Sequence, residues 1–195
     1  MSENEKHNEK MKRLQTSKQK IFAKKTEKKG LIIVNTGTGK GKSTAAFGMV
    51  FRGIAHGMPC AVVQFIKGAM ATGERDLIQQ HFQELCEFHT LGDGFTWDTQ
   101  DKEKDIASAK KAWSKAKELI SDEKKKIILL DEINIALRYG YVEIDDVVTF
   151  LLEKKPKMTH VILTGRNANE KLIGIADLVT DMTLVKHHFR NGVKS

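Results

Sequence analysis

The stretch Leu31 to Gly48, LIIVNTGTGKGKSTAAFG, leaves a chain few ways to fold, because it joins an apolar run, a glycine-rich turn and a helix-forming segment without a break. A β-branched, uninterrupted run such as Leu31 to Val34 is the pattern of a strand buried on both faces, as in parallel sheets covered by helices. Gly37, Gly39 and Gly41 supply a turn without Cβ atoms, so successive backbone N–H groups can converge on phosphate oxygens at the start of the following helix. Lys42 adds a point charge to such phosphates, and Ser43 offers a hydroxyl to a magnesium ion. The phosphate-loop pattern carries a glycine six residues before its lysine, and that position here is Thr36. A plain glycine-rich hairpin turn would leave Lys42 and Ser43 unexplained, so a triphosphate site is expected.

A chain of 195 residues predicts one domain, large enough to bury roughly 70 per cent of its unfolded surface without a disulfide or metal staple. Cys60 and Cys86 lie far apart in unlike settings and read as free thiols of a reducing compartment, since no CxxC or Cys/His metal spacing occurs. The apolar runs are strand-sized and the N-terminus lacks a hydrophobic h-region, so neither a membrane span nor a secretory signal is expected and the location reads as cytoplasmic. The net charge of +8 is concentrated at one end: residues 1–30 hold ten Lys/Arg against four Asp/Glu, leaving 23 against 21 for the remainder. A nucleic-acid enzyme would carry its positive charge on the folded face, so no polynucleotide partner is expected.

The chain divides into a basic segment, 1–28, and a globular domain, 29–195. For the first, two readings stand: a frayed tail, or a helix that docks the stripe Met11, Leu14, Ile21 and Phe22 over a neighbouring subunit or over the active site. The helix from Lys42 to His56 turns Ala45, Ala46, Met49, Val50 and Ile54 toward the sheet, while Arg52, on a different side, reaches either a phosphate or water. Cys60 to Phe65 is a second strand, and its carboxyl end brings Gln64 and Lys67 to the crevice that lines parallel α/β sheets. A short helix from Gly73 to Phe82 and a strand from Leu85 to Thr90 follow.

The loop LGDGFTWDTQ then carries Phe95 and Trp97, as a hydrophobic plug or as contacts for a flat ligand. Asp101 to Ile120 is a long helix with Ile106, Ala109, Ala112, Trp113, Ala116 and Ile120 on its inner face. Ile127 to Glu132, IILLDE, is a core strand that delivers two carboxylates to the crevice. Asp131 fits a helix N-cap as well as it fits metal binding, whereas Glu132 is preferred as a magnesium ligand or its outer partner, with Asp131 in support. A helix carrying Ile144, Val147, Val148, Leu151 and Leu152 stops at Pro156, and the strand His160 to Thr164 leads into Gly165 and Arg166, a cation at the crevice. A helix from Leu172 to Ala176 and a last strand from Leu178 to Val185 complete the pattern; His187 and His188 point apart on a strand and are not read as metal ligands. The expected fold is α/β of the P-loop NTPase (RecA-like) kind, a mostly parallel sheet flanked by helices.

TGTGKGKSTAAFG, VVQFIKG, the GERD of Gly73 to Asp76, GFTWDTQ, LLDE and ILTGR follow one another as they do in the ATP:corrinoid adenosyltransferases of the CobA/BtuR type, which this chain resembles from about Gly30 to Lys194. The resemblance implies transfer of the 5′-deoxyadenosyl group of ATP to the cobalt(I) of a corrinoid, with release of triphosphate, in adenosylcobalamin biosynthesis or salvage. ATP and cobalamin or a corrinoid precursor would be the substrates, and Mg2+ or Mn2+ the metal. It makes Gly37, Thr38, Gly39, Lys40, Gly41, Lys42, Ser43 and Thr44 the triphosphate cradle, with Ser43 and Glu132 serving the metal and Arg52 and Arg166 near the nucleotide. Phe95 and Trp97 match the aromatics that wedge under the corrin and remove its lower axial ligand, which brings cobalt(II) within reach of a flavoprotein reductant. A homodimer with the N-terminal helix over the partner's site is also implied. Within the loop, Thr38 stands where some relatives have asparagine, and Ser43 where relatives often have threonine. Two other functions suit a phosphate loop: a P-loop kinase or hydrolase acting at the terminal phosphate, and a nucleotide-dependent DNA-binding module.

Overall fold

The computed structural model describes residues 2–65, 72–91 and 102–193. Its elements run α1 (Glu3–Ala23), β1 (Ile32–Thr36), α2 (Lys42–Ala55), β2 (Cys60–Gln64), α3 (Gly73–His81), β3 (Cys86–Thr90), α4 (Lys102–Ser121), β4 (Ile127–Asp131), α5 (Ile133–Arg138), α6 (Ile144–Glu153), β5 (His160–Thr164), α7 (Glu170–Ile175) and β6 (Leu178–Asp181). The strands form one parallel sheet of six in the order β3-β2-β4-β5-β1-β6. This is the helix-flanked α/β architecture that the strand, glycine turn and helix pattern predicts.

Side chains alternate across the sheet with the period of two that a pleated strand imposes. Ile32, Val34, Ala61, Val63, Ile128, Leu130, Val161 and Leu163 face one layer, where α4, α5, α6 and α7 cover them with residues such as Ala112, Trp113, Ile133, Leu151 and Leu172. Ile33, Val62, Leu129 and Ile162 face the other, beneath Ala46, Phe47, Val50 and Ile54 of α2 and Ile78 of α3. Because both faces are covered, β1, β2 and β4 are buried at every position, which explains why they read as continuous apolar runs.

Several expectations change on the helices and at the edges. On α2, Phe47 packs inward where Ala45 was expected, and Ala45 is exposed, because the helix presents the 46-47-50-54 row to the sheet. Leu152 of α6 is 62% exposed. The final strand stops at Asp181, so His187 and His188 lie beyond the sheet and their rings stack at 4.6 Å instead of pointing apart. A further helix, α5, separates β4 from the turn at Gly140. Cys60 and Cys86, distant in sequence, are register partners on β2 and β3; both are buried free thiols, and burial pushes Cys60 up to about 11 and Cys86 to about 12.

α1 is a different kind of element. Ser2 caps it reciprocally with Glu5, whose backbone N–H donates to Ser2 Oγ at 3.3 Å while the Ser2 N–H donates to Glu5 Oε2 at 2.7 Å. None of its residues is buried, and Met11, Leu14, Ile21 and Phe22 are all exposed.

Candidate active site

All six strands end in a polar residue: Thr36, Gln64, Thr90, Asp131, Thr164 and Asp181. In a parallel sheet these ends share one edge, the edge where ligands bind. The sheet order leaves β5 between β1 and β4, so β1, which leads into the glycine loop, and β4, which ends in the carboxylates, stand two strand spacings apart, about 10 Å, with Thr164 of β5 between them.

The loop itself is built on two glycines in the left-handed region, Gly37 at φ +97 and Gly41 at φ +104, the latter capping α2. Thr36, at the position of the pattern's first glycine, is the last residue of β1, and its Oγ1 accepts the Ala168 N–H at 3.0 Å. Gly39 donates its N–H to Met182 O at 2.6 Å, and a Cβ on Gly37 or Gly39 would collide with the backbone of Met182. The loop is therefore seated on the segment that follows β6. Asn35 Nδ2 donates to Lys42 O at 3.2 Å and fixes the first turn of α2 from below.

Lys42 is only 8% exposed, and its Nζ donates to Gly37 O at 2.9 Å and Gly39 O at 2.5 Å, so the ammonium sits inside the curve of the loop. Burial holds its pKa below the usual lysine value; Glu132 opposes this, Arg166 and Lys40 add to it, and Asp181 opposes it. Two carboxylates and two further cations thus act by charge on one ammonium.

Asp131, at the end of β4, is the hub that ties the strand ends to α2. It is fully buried; its Oδ1 accepts from Ser43 Oγ at 2.7 Å and Thr164 Oγ1 at 2.8 Å, and its Oδ2 accepts from Gln64 Nε2 at 3.0 Å. Thr164 also accepts the Glu132 N–H at 3.0 Å, which ties β5 to the start of α5. Glu132 occupies the left-handed region at φ 64, unusual for a residue with a Cβ and a common mark of a functional position. Gly165, at φ +129, lies beside it, and a Cβ there would stand 3.2 Å from Glu132 Oε2 and 2.9 Å from Asn134 Cβ.

The geometry thus brings Gly37, Gly39, Gly41, Lys42 and Ser43 together with Asp131, and the charges of Lys40, Glu132 and Arg166 act on Lys42. Thr38 and Thr44 are exposed on the rim. Arg52 is exposed on α2, ten residues beyond Lys42, hence about 15 Å from it along the helix axis. Phe95, Trp97 and Lys67 lie outside the described residues. The sequence reading passed over Thr164 and Asp181 and ranked Asp131 behind Glu132. The signal that would have found them is the polar residue closing each apolar strand.

Comparison with known proteins gives this constellation a lineage. The family profile described as ATP:corrinoid adenosyltransferase BtuR/CobO/CobP matches residues 28–195. The chain belongs to that family. This corrinoid adenosyltransferase family member is 67% identical over 189 residues to a corrinoid adenosyltransferase from Sinorhizobium sp., covering 97% of this chain and 88% of that protein. It is 45% identical over 191 residues to one from Pseudomonas aeruginosa, covering 98% and 93%. It is 40% identical over 173 residues to the corrinoid adenosyltransferase CobA of Salmonella typhimurium, covering 89% and 86%. Among solved structures, ATPases 2 and 3 of EssC from Geobacillus thermodenitrificans align with 78% of this chain and 32% of that one at 13% identity and a TM-score of 0.40, too remote a likeness to argue from. The family member's loop, its Ser43–Asp131 bond and the Gly165–Arg166 turn all fall within the matched span.

Proposed function

We infer that this chain is an ATP:corrinoid adenosyltransferase, moving the 5′-deoxyadenosyl group of ATP onto the cobalt(I) of cobalamin or a corrinoid precursor and releasing triphosphate. The observation that carries this reading is the hydrogen bond that joins Ser43, just after the glycine loop, to a buried carboxylate hub, within a span that matches the family from 28 to 195.

The triphosphate lies along Gly37 to Thr44, where the loop's curve, the Lys42 ammonium and the start of α2 favour anionic oxygens. The donor set fits Mg2+ or Mn2+: Ser43 donates its hydroxyl hydrogen bond to Asp131, which leaves its oxygen lone pairs for a hard cation, and Glu132 adds a carboxylate whose charge acts on Lys42. When bound, such a cation neutralises triphosphate charge and so favours triphosphate as the leaving group. Lys42, Lys40 and Arg166 share that task by charge. With the anionic tail gripped, C5′ of the ribose faces the corrinoid, and Phe95 and Trp97 displace its lower axial ligand so that a flavoprotein can reduce cobalt(II) to cobalt(I). Carbon and cobalt form the new bond with the electron pair of cobalt(I), and the C5′–O bond breaks toward triphosphate.

The same reading makes the chain a cytoplasmic homodimer whose α1 reaches over the partner's site; α1 supports it by exposing Met11, Leu14, Ile21 and Phe22 while burying nothing. Anaerobic incubation with ATP and chemically reduced cobalamin, followed by absorbance and by phosphate analysis, tests the reading. An adenosylated corrin with stoichiometric triphosphate supports it. Release of ADP without a change at cobalt would instead favour a kinase or hydrolase acting at the terminal phosphate.

A further inference from the structure

We propose that Gln64 is a positioning residue that orients Asp131, and through it the Ser43 hydroxyl, for the metal–triphosphate complex. The proposal rests on the reading of the loop as a triphosphate site.

Gln64 closes β2 and is 2% exposed, with Thr90 of β3 as its register partner on one side and Asp131 of β4 on the other. Its amide is used at both ends. Nε2 donates to Asp131 Oδ2 at 3.0 Å, and Oε1 accepts from Thr90 Oγ1 at 3.4 Å. The acceptor-only Asp131 carboxylate sets which end of the amide faces it, since a flipped amide would aim its carbonyl oxygen at Asp131 and lose that bond, while the Thr90 hydroxyl anchors the other end. With Oδ2 held, Oδ1 is left to the hydroxyls of Ser43 and Thr164 at 2.7 and 2.8 Å.

A carboxylate is otherwise free to rotate and exchange its oxygens. Without Gln64, the Ser43 hydroxyl would lose a fixed acceptor, and the direction of its lone pairs would no longer be set. The effect should appear as weaker use of the metal, not as weaker packing, because Gln64→Met keeps length and apolar contact while deleting the donor.

The test measures thermal stabilisation of the full chain by ATP, once with MgCl2 titrated in and once with EDTA. Gln64→Met should raise the Mg2+ concentration at half-effect about tenfold, the scale of a lost hydrogen bond to a charged group, with the ATP response in EDTA unchanged. Gln64→Glu, which keeps the shape and replaces the donor with a second carboxylate, should raise it further. Thr90→Val should shift it in the same direction by less, and adding Thr90→Val to Gln64→Met should change nothing more, as expected of one chain of contacts. An unchanged Mg2+ midpoint in Gln64→Met, or an equal loss with and without metal, would overturn the proposal. If Gln64→Met fails to fold, Thr90→Val decides alone: no shift overturns it. A wild-type chain whose melting ignores Mg2+ and ATP would overturn the triphosphate site itself.

Discussion

Replacing Gly37 by alanine separates the packing of the phosphate loop from its chemistry. A Cβ there would stand 2.2 Å from Asp181 Oδ1, 2.5 Å from the Met182 carbonyl oxygen and 2.6 Å from the Met182 nitrogen. The Asp181 side chain is exposed and can swing aside, but the Met182 backbone cannot, since its N–H donates to Thr36 O at 2.9 Å and its oxygen accepts from Gly39 N–H at 2.6 Å. The methyl must part the loop from this segment, at about 1 kcal/mol for each of those bonds and about 1 kcal/mol for a side chain at a left-handed φ. The sum, about 3 kcal/mol, corresponds to a Tm lower by roughly 6–12 °C for a chain of this size. Gly48 is the control within the same motif: it is exposed on α2 and a Cβ there meets nothing within 4 Å. Gly48→Ala should gain about 0.5–1 kcal/mol from helix propensity and melt a few degrees higher. Calorimetry on both variants reads the difference directly. A Gly37→Ala protein melting within ~2 °C of wild type would refute the argument that the loop is seated on residues 181–183.

Ser43→Ala removes one of the donors to Asp131 and the hydroxyl offered to the cation, so Mg·ATP affinity by titration calorimetry should fall roughly 10- to 100-fold; retention of full affinity would take Ser43 out of the site. His160, whose pKa burial and then Lys155 hold below the usual imidazole value, accepts the Leu31 N–H at 3.1 Å through Nδ1. The unfolded chain binds more protons between the folded value and about 6.5, so stability should fall as pH drops through that window, and His160→Asn should flatten the dependence in urea melts at pH 5.5 and 7.5. An identical slope in wild type and variant would contradict this. Replacing Phe95 and Trp97 by alanine should spare turnover of pre-reduced cobalt(I) corrinoid and cripple the reaction that starts from cobalt(II); equal losses in the two assays would assign those aromatics to the core.

The sheet was legible because burial on both faces writes itself into the sequence as unbroken apolar runs, and because Gly37 to Ser43 can hardly be anything but a turn entering a helix. Sequence was weaker wherever the answer depended on which elements become neighbours. Asp131 looked like a cap or a helper of Glu132 until the strand order put Thr164 beside it and Ser43 across from it. Cys60 and Cys86 are 26 positions apart, and only the β2–β3 register makes them neighbours. α5 escaped notice because six residues are too few to show a helical period. The family resemblance supplied the chemistry that periodicity could not.

The capped but fully unburied α1 has a consequence for measurement. A 21-residue helix that buries none of its residues leans on its own hydrogen bonds, so its amides should trade hydrogen with solvent far faster than those of the sheet. Any surface that receives Met11, Leu14, Ile21 and Phe22 must slow that trade. Deuterium uptake over residues 3–23, followed against protein concentration and against each substrate, is therefore a built-in clock for assembly.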